Sequence, residues 1–322
     1  MENKFNKLFI YYLSLLFFFS FIYLINKHDV GNDSTISEWL INYTGGFTKR
    51  GLIGQINIIF ANFLNVNLRD VILVFQILLI GLYYILLFKF LRNIKVNKII
   101  LLSIFTPIFI LYPVAEIEVL ARKEVFIFCI FIFYFFLKKS QSRNIYKLIF
   151  LPISVLIWEP VIFYFLFFLA IDIFENEYEK LDRKFLQNFF YYLPAIVIAF
   201  YIALNPITLE EHDFMSNYLK VNFNEVCYMS CALLKSKSSI YDQFYWNYSK
   251  YSFEVFLRYF LIILIGFGPL ILLLKNSQII DNKLIFFKYY NNLFYPFLII
   301  LSPVLLLFAM GYDWGRWVNI SY

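Results

Sequence analysis

Four polar segments interrupt a very apolar sequence, and each carries residue types suited to binding an anion or moving a proton. In the first, Asp29, Asp33 and Glu38 lead into Gly45-Gly46-Phe47-Thr48-Lys49-Arg50-Gly51. Glycine lets a backbone approach a ligand closely, and an Arg beside a Lys offers a planar fork and a point charge to an anion. The bland alternative is a Gly-rich turn carrying membrane-surface cations. The second segment, Glu116 to Glu124, contains Glu118, Arg122 and Lys123. As the start of a helix it would set Glu118 and Arg122 on one face at i,i+4, with a local ion-pair network as the plain reading. In the third, Gly311 to Trp317, Asp313 and Arg316 form an i,i+3 pair between Trp314 and Trp317. Those rings alone also suit an interfacial aromatic belt. The fourth is Glu159, held between Trp158 and Pro160 inside a long apolar run.

What must position these groups is a membrane protein. Of 322 residues, 61% are hydrophobic, 23% aromatic and only 16% charged, with mean hydropathy +0.70. Soluble domains carry about 25% charged residues, and geometry denies a soluble chain of this size enough interior to hide the rest. Apolar runs at 8–25, 71–91, 99–113, 124–137, 147–174, 188–205, 255–274 and 292–311 predict spans, since a crossing helix needs about 20 apolar residues. The expected fold is all-α and polytopic, one integral membrane domain over 1–322. About nine spans, several short or broken, would surround an outward-facing cavity.

Basic turns set the orientation. Lys4 and Lys7, then Lys89 to Lys98, then Lys138, Lys139, Arg143 and Lys147 read as cytoplasmic. The N-terminus is then inside, with 26–70 and 206–254 as larger extracytoplasmic loops. Nine spans require 147–174 to be two helices broken at Trp158-Glu159-Pro160, where proline disfavours helix for its predecessor. One long helix is the competing reading. The split places Cys227 and Cys231 in an oxidising space where a disulfide persists. Cys129 reads as a packed thiol. The net charge of +6 is loop charge rather than a nucleic-acid footprint, and no nucleic-acid partner is expected. With three Cys and two His, no metal is expected. Walker A, Rossmann, GxSxG and DxD patterns are absent from the sequence.

The run from Trp39 to Gly54, the start Ala121-Arg122-Lys123-Glu124 and the terminal Asp313-Trp314-Gly315-Arg316-Trp317 resemble a group of multispanning bacterial proteins of capsule and O-antigen assembly. That group is similar to O-antigen polymerases and to lipid-dependent glycosyltransferases of the GT-C type. Lys49 stands where that pattern has Arg, and Trp158 where it has His. The resemblance also implies a further span beyond Trp317. It implies glycosyl transfer from a polyprenyl-phosphate- or pyrophosphate-linked sugar at the outer leaflet of the inner membrane, with no cofactor. Polysaccharide-assembly proteins would be further partners. Lys49, Arg50, Arg122, Lys123 and Arg316 would offset charge on the leaving phosphate, with Glu159 and Trp317 in the substrate site. Glu38, Glu116, Glu118 and Asp313 are the candidate bases for the acceptor hydroxyl. A transporter or flippase of lipid-linked sugars, or a non-catalytic assembly subunit, are the alternative functions.

Overall fold

The computed structural model describes residues 2–29, 34–92, 94–236, 240–278, 283–311 and 313–322; Asp33 lies outside them. Among the described residues the chain is built of helices and turns, with no strand. It opens with α1 (Glu2–Asp29), a single turn α2 (Ser34–Ser37), α3 (Gly51–Leu64) and the long α4 (Leu68–Leu91). Three shorter helices follow: α5 (Lys98–Ile104), α6 (Tyr112–Ala115) and α7 (Glu124–Phe136). A 3-10 stretch, Glu159–Tyr164, separates α8 (Ser140–Ile157) from α9 (Phe165–Glu175). Then come α10 (Arg183–Phe190) and α11 (Leu193–Leu204), followed by the more polar α12 (Leu209–Phe223), α13 (Leu233–Ser236) and α14 (Ile240–Tyr248). The chain closes with α15 (Phe253–Asn276), α16 (Phe294–Leu301), α17 (Leu305–Met310) and α18 (Trp314–Ser321).

Among the described residues three helices are long and apolar enough to cross a membrane: Phe5–His28, Leu68–Leu91 and Phe253–Asn276. A fourth candidate exists if α10 and α11, bent by 44°, count as one broken span. This corrects the expectation of nine. The apolar runs are there, but the backbone does not keep helix through all of them. The 99–113 run stops after the 7 residues of α5. At 13 residues α7 rises only about 20 Å, short of a bilayer core of about 30 Å. The 292–311 run is broken at Ser302–Val304 by a 3-10 turn. The split of 147–174 is observed: α8 ends at Trp158, whose φ of −155° is extended, and Pro160 opens the 3-10 turn.

Aromatic contacts carry the packing order. Phe9 of α1 lies 6.4 Å from Phe88 of α4, Tyr83 of α4 lies 5.4 Å from Phe128 of α7, and Phe131 of α7 lies 5.4 Å from Phe168 of α9. Within the 26–70 segment, α2 and the turn after it pack inward. Residues Ser34 to Asn42 are buried, and Trp39 Nε1 donates to the Ala121 carbonyl at 2.9 Å. The basic turn before α8 is likewise not all solvent-facing. Arg143 and Lys147 fall within α8 and are buried, so their aliphatic stems and charges serve a helix interface.

Candidate functional site

Three arginines from distant parts of the sequence meet at one buried carboxylate. Glu38 is fully buried just beyond α2, and its Oε1 accepts from Arg122 Nη2 and, at 3.3 Å, from Arg50 Nη1. Arg316 Nη2 lies 3.6 Å from the same oxygen. Burial opposes ionisation of Glu38, yet Arg122, Arg316 and Arg50 together hold it well below the usual carboxylate range.

Each arginine is placed by a local backbone device. Arg50 stands immediately ahead of α3 in a left-handed conformation, φ +64°. Its guanidinium grips Glu159 by two hydrogen bonds, 2.9 Å from Nε to Oε2 and 3.0 Å from Nη2 to Oε1. Arg122 follows Ala121, itself at φ +54°, which ends the 3-10 turn of Ile117–Val119 before α7 begins. Arg316 lies in the first turn of α18, donates to Asp313 Oδ2 at 2.8 Å and is paired with Glu124. Asp313 Oδ2 also lies 3.7 Å from Arg122 Nη1. Lys123, fully buried, donates to the Arg50 carbonyl at 2.6 Å. Burial and the neighbouring Arg50 bring its pKa down to about 7.

Eight of the expected residues are therefore in or at one cluster: Glu38, Arg50, Arg122, Lys123, Glu159, Asp313, Arg316 and Trp317. Trp317 holds its ring 5.3 Å under the Arg316 guanidinium and 6.1 Å from Trp158. Lys49 contributes charge beside Glu159 from the edge. Glu116 and Glu118 are exposed and make no ion pair in the cluster. The expected Glu118–Arg122 helix face does not form, because the left-handed Ala121 separates them. The glycines of the first segment face the chain itself. A Cβ at Gly45 would meet the Glu211 backbone, and one at Gly51 the Tyr43 ring.

Within this cluster some polar atoms lack a hydrogen-bond partner, Glu38 Oε2 and both Glu124 oxygens among them, and one acid is open to solvent. Arg122 Nε and Arg316 Nε are buried without a hydrogen-bond acceptor, an unusual state for so polar a group. Asp313 is the acid left half-exposed, its side chain 48% accessible. Enclosure by protein, with Glu38, Glu118 and Glu116 adding like charge against the pull of Arg122, pushes its pKa up to about 6.

An apolar cavity of about 410 Å³ begins about one helical turn beyond the cluster along α7 and α18. Ile127, Phe128, Phe131 and Phe135 of α7 and Ile320 and Tyr322 of the C-terminal end form part of its wall. Both α7 and α18 thus carry a charged residue of the cluster near the start, Glu124 and Arg316, and the cavity wall beginning about one turn further on.

Sequence reading missed Glu124 as Arg316's partner, although Glu124 sits beside Lys123 in the segment singled out. It also missed Ser230, whose Oγ accepts from Arg122 Nη2 at 3.2 Å. Away from the cluster, Asp172 of α9 gathers Lys147 Nζ at 2.9 Å, Asn188 Nδ2 at 2.8 Å, Tyr192 OH at 2.8 Å and Tyr134 OH. Cys227 and Cys231 are joined as a disulfide, with His212 Nε2 3.5 Å from Cys227 Sγ. These three donors lie close enough for a metal ion, but the disulfide commits both sulfurs.

Comparison with protein-family models, with curated proteins and with solved structures returns no match.

Proposed function

We propose that this protein transfers a glycosyl group from a polyprenyl-phosphate- or pyrophosphate-linked sugar at the outer leaflet of the bacterial inner membrane, in surface polysaccharide assembly. The observation that carries the reading is the meeting of Arg50, Arg122 and Arg316 around Glu38, beside an apolar cavity. An amphiphile with a phosphate head and an isoprenoid tail is the ligand chemistry that uses both. Guanidinium forks match phosphate oxygens in two-pronged fashion, and the cavity accepts hydrocarbon.

In this reading the acceptor hydroxyl oxygen attacks the anomeric carbon. The bond from that carbon to the phosphate oxygen breaks, and the phosphate leaves with the electron pair, stabilised by the arginines. Asp313 takes the hydroxyl proton, because it is the most exposed of the carboxylates paired with the arginines, 48% accessible against 21% for Glu159 and 0% for Glu38. Glu38 and Glu159, pinned by arginine, orient the forks rather than exchange protons. Glu116 and Glu118 have no such part.

The experiment is deletion in the native host with analysis of surface polysaccharide length. Loss of long chains with single repeat units retained indicates polymerisation; unchanged polysaccharide overturns the reading. One observation favours the transporter alternative: Lys147 of α8 and Asp172 of α9 form a second buried ion pair, about three helical turns before Glu159 along α8. Accumulation of lipid-linked sugar on the cytoplasmic leaflet of the deletion strain would select transport.

A further inference from the structure

The loop between α12 and α13 touches the central ion pair through one residue. Ser230 Oγ accepts from Arg122 Nη2 at 3.2 Å, and Ser230 N donates to Ser37 Oγ, next to Glu38, at 3.3 Å. Ser230 thus bridges Arg122 to the turn that presents Arg122's own carboxylate partner. It lies inside the ring closed by the Cys227–Cys231 disulfide.

That ring is held by one internal hydrogen bond and by contacts at both of its ends. Cys231 is fully buried, its N–H donates to the Tyr228 carbonyl at 3.0 Å, and its carbonyl contacts His212 Nε2 of α12 at 3.1 Å. Just ahead of it, Glu225 forms a two-pronged pair with Arg69 of α4, and Arg69 Nη1 also donates to the His28 carbonyl at 2.9 Å. Met229, immediately before Ser230, has φ +42°. A non-glycine residue holds that left-handed conformation where its surroundings impose it, and the ring supplies the constraint.

We propose that the Cys227–Cys231 ring fixes Ser230 as a positioning residue for Arg122, and thereby sets the affinity of the arginine site for a phosphate-bearing ligand. The proposal rests on the reading of that site as an anion site. A guanidinium at this rim has a choice of acceptors. With the Ser230 hydroxyl held against one nitrogen, Arg122 keeps its fork aimed between Glu38 and Asp313 instead of swinging away. With the ring open, Met229 relaxes and Ser230 leaves.

The test uses the full chain in phosphatidylethanolamine–phosphatidylglycerol nanodiscs, with inorganic pyrophosphate titrated calorimetrically. Wild type is expected to bind and Arg50→Gln to lose binding, which reports on the arginine site itself. Ser230→Ala is expected to weaken binding about fivefold, the worth of one such hydrogen bond, and Ser230→Thr to recover most of it. Cys227→Ser/Cys231→Ser should weaken it by the same factor, and adding Ser230→Ala to that pair should cause no further loss. Wild-type protein reduced after folding gives a second route. A phosphine and one water become the phosphine oxide while the disulfide becomes two thiols. Reduced protein should match the double-serine variant. Unchanged affinity after ring opening, even with a lowered Tm, overturns the proposal, as do losses that multiply to about 25-fold. Wild type and Arg50→Gln both failing to bind pyrophosphate overturns the anion site and the proposal with it.

Discussion

Arg50 and Glu159, 109 residues apart in the chain, form a two-pronged ion pair with contacts of 2.9 and 3.0 Å. The pair ties the turn before α3 to the break after α8. Both partners owe their position to a backbone irregularity, the left-handed Arg50 and the extended Trp158 before Pro160. Glu159→Gln is expected to leave the Arg50 fork half-held. Donor affinity should then drop about tenfold, roughly the loss of one charged hydrogen bond, while Tm falls by a few degrees. A normal affinity in a binding titration would assign the pair to folding alone.

Replacing Arg50, Arg122 or Arg316 with Lys keeps the charge and discards the planar fork. Each change is expected to cut glycosyl transfer about thirtyfold, equivalent to about 2 kcal/mol, with membrane insertion and protein level unchanged. Surface polysaccharide length in complemented deletion strains checks this. Near-normal chains from all three variants would leave the arginines as surface anchors.

The pH dependence follows from Lys123 near 7 and Asp313 near 6. Protonating Lys123 adds a positive charge and protonating Asp313 removes a negative one, so both steps favour a bound anion. Pyrophosphate affinity is therefore expected to fall in two stages as pH rises from about 5 to about 8. Lys123→Met should flatten the upper stage and Asp313→Asn the lower. The transfer rate at saturating donor should run the other way through about pH 6, because the base must be deprotonated. A rate independent of pH across that range would remove Asp313 as base. For stability, the unfolded chain holds the Lys123 proton up to its ordinary 10.5 while the folded chain releases it near 7. That group's contribution therefore rises with pH over that window and is lost as pH falls through about 7.

A Cβ at Gly54 would lie 2.0 Å from the Ile41 carbonyl oxygen and 2.8 Å from that of Trp39. Backbone cannot give way there, so Gly54→Ala is expected to cost about 3 kcal/mol, visible as a lowered Tm in nanodiscs. Gly268→Ala is the control, since nothing lies within 4 Å of its Cβ. Equal Tm for the two would show that α3 can shift freely against the 39–41 segment.

Lys147 and Asp172 are both buried and 2.9 Å apart. Asp172→Asn alone strands a buried ammonium and is expected to cost about 3 kcal/mol, as is Lys147→Met. Removing both charges together should cost markedly less than the sum. Full additivity in unfolding measurements would mean the two charges do not depend on each other.

A cysteine at the exposed Asn222 checks the proposed orientation. The remaining free thiol, Cys129, is buried, so background is low. Labelling by an impermeant maleimide in spheroplasts is expected. Labelling only after permeabilisation would put the Cys227–Cys231 ring and the arginine site on the cytoplasmic side.

Composition alone determined that this chain belongs in a membrane, because 61% apolar and 16% charged residues leave no soluble packing solution. The cluster's arginines were legible from where their charges fall. Arg50, Arg122 and Arg316 stood out because a charge between long apolar runs is costly unless something answers it. The helix break at Trp158-Glu159-Pro160 was legible from proline's local sterics.

Only the tertiary structure decided which charges answer which. Glu38 became the hub because α2 and the turn after it are buried under Ala121, a contact between positions 39 and 121 that no periodicity encodes. Glu116 and Glu118 were as acidic and as near to Arg122 in sequence, yet Ala121 in a left-handed conformation turned the chain and left them in the open. The number of long spans was misread for a related reason. Hydropathy registers apolar runs, whereas helix length depends on backbone breaks whose freed hydrogen bonds are satisfied by neighbours. Ser230 had no signal in sequence beyond lying between two cysteines. Its place on Arg122 comes from ring closure and from Glu225 on Arg69, and both depend on the folded positions of distant helices.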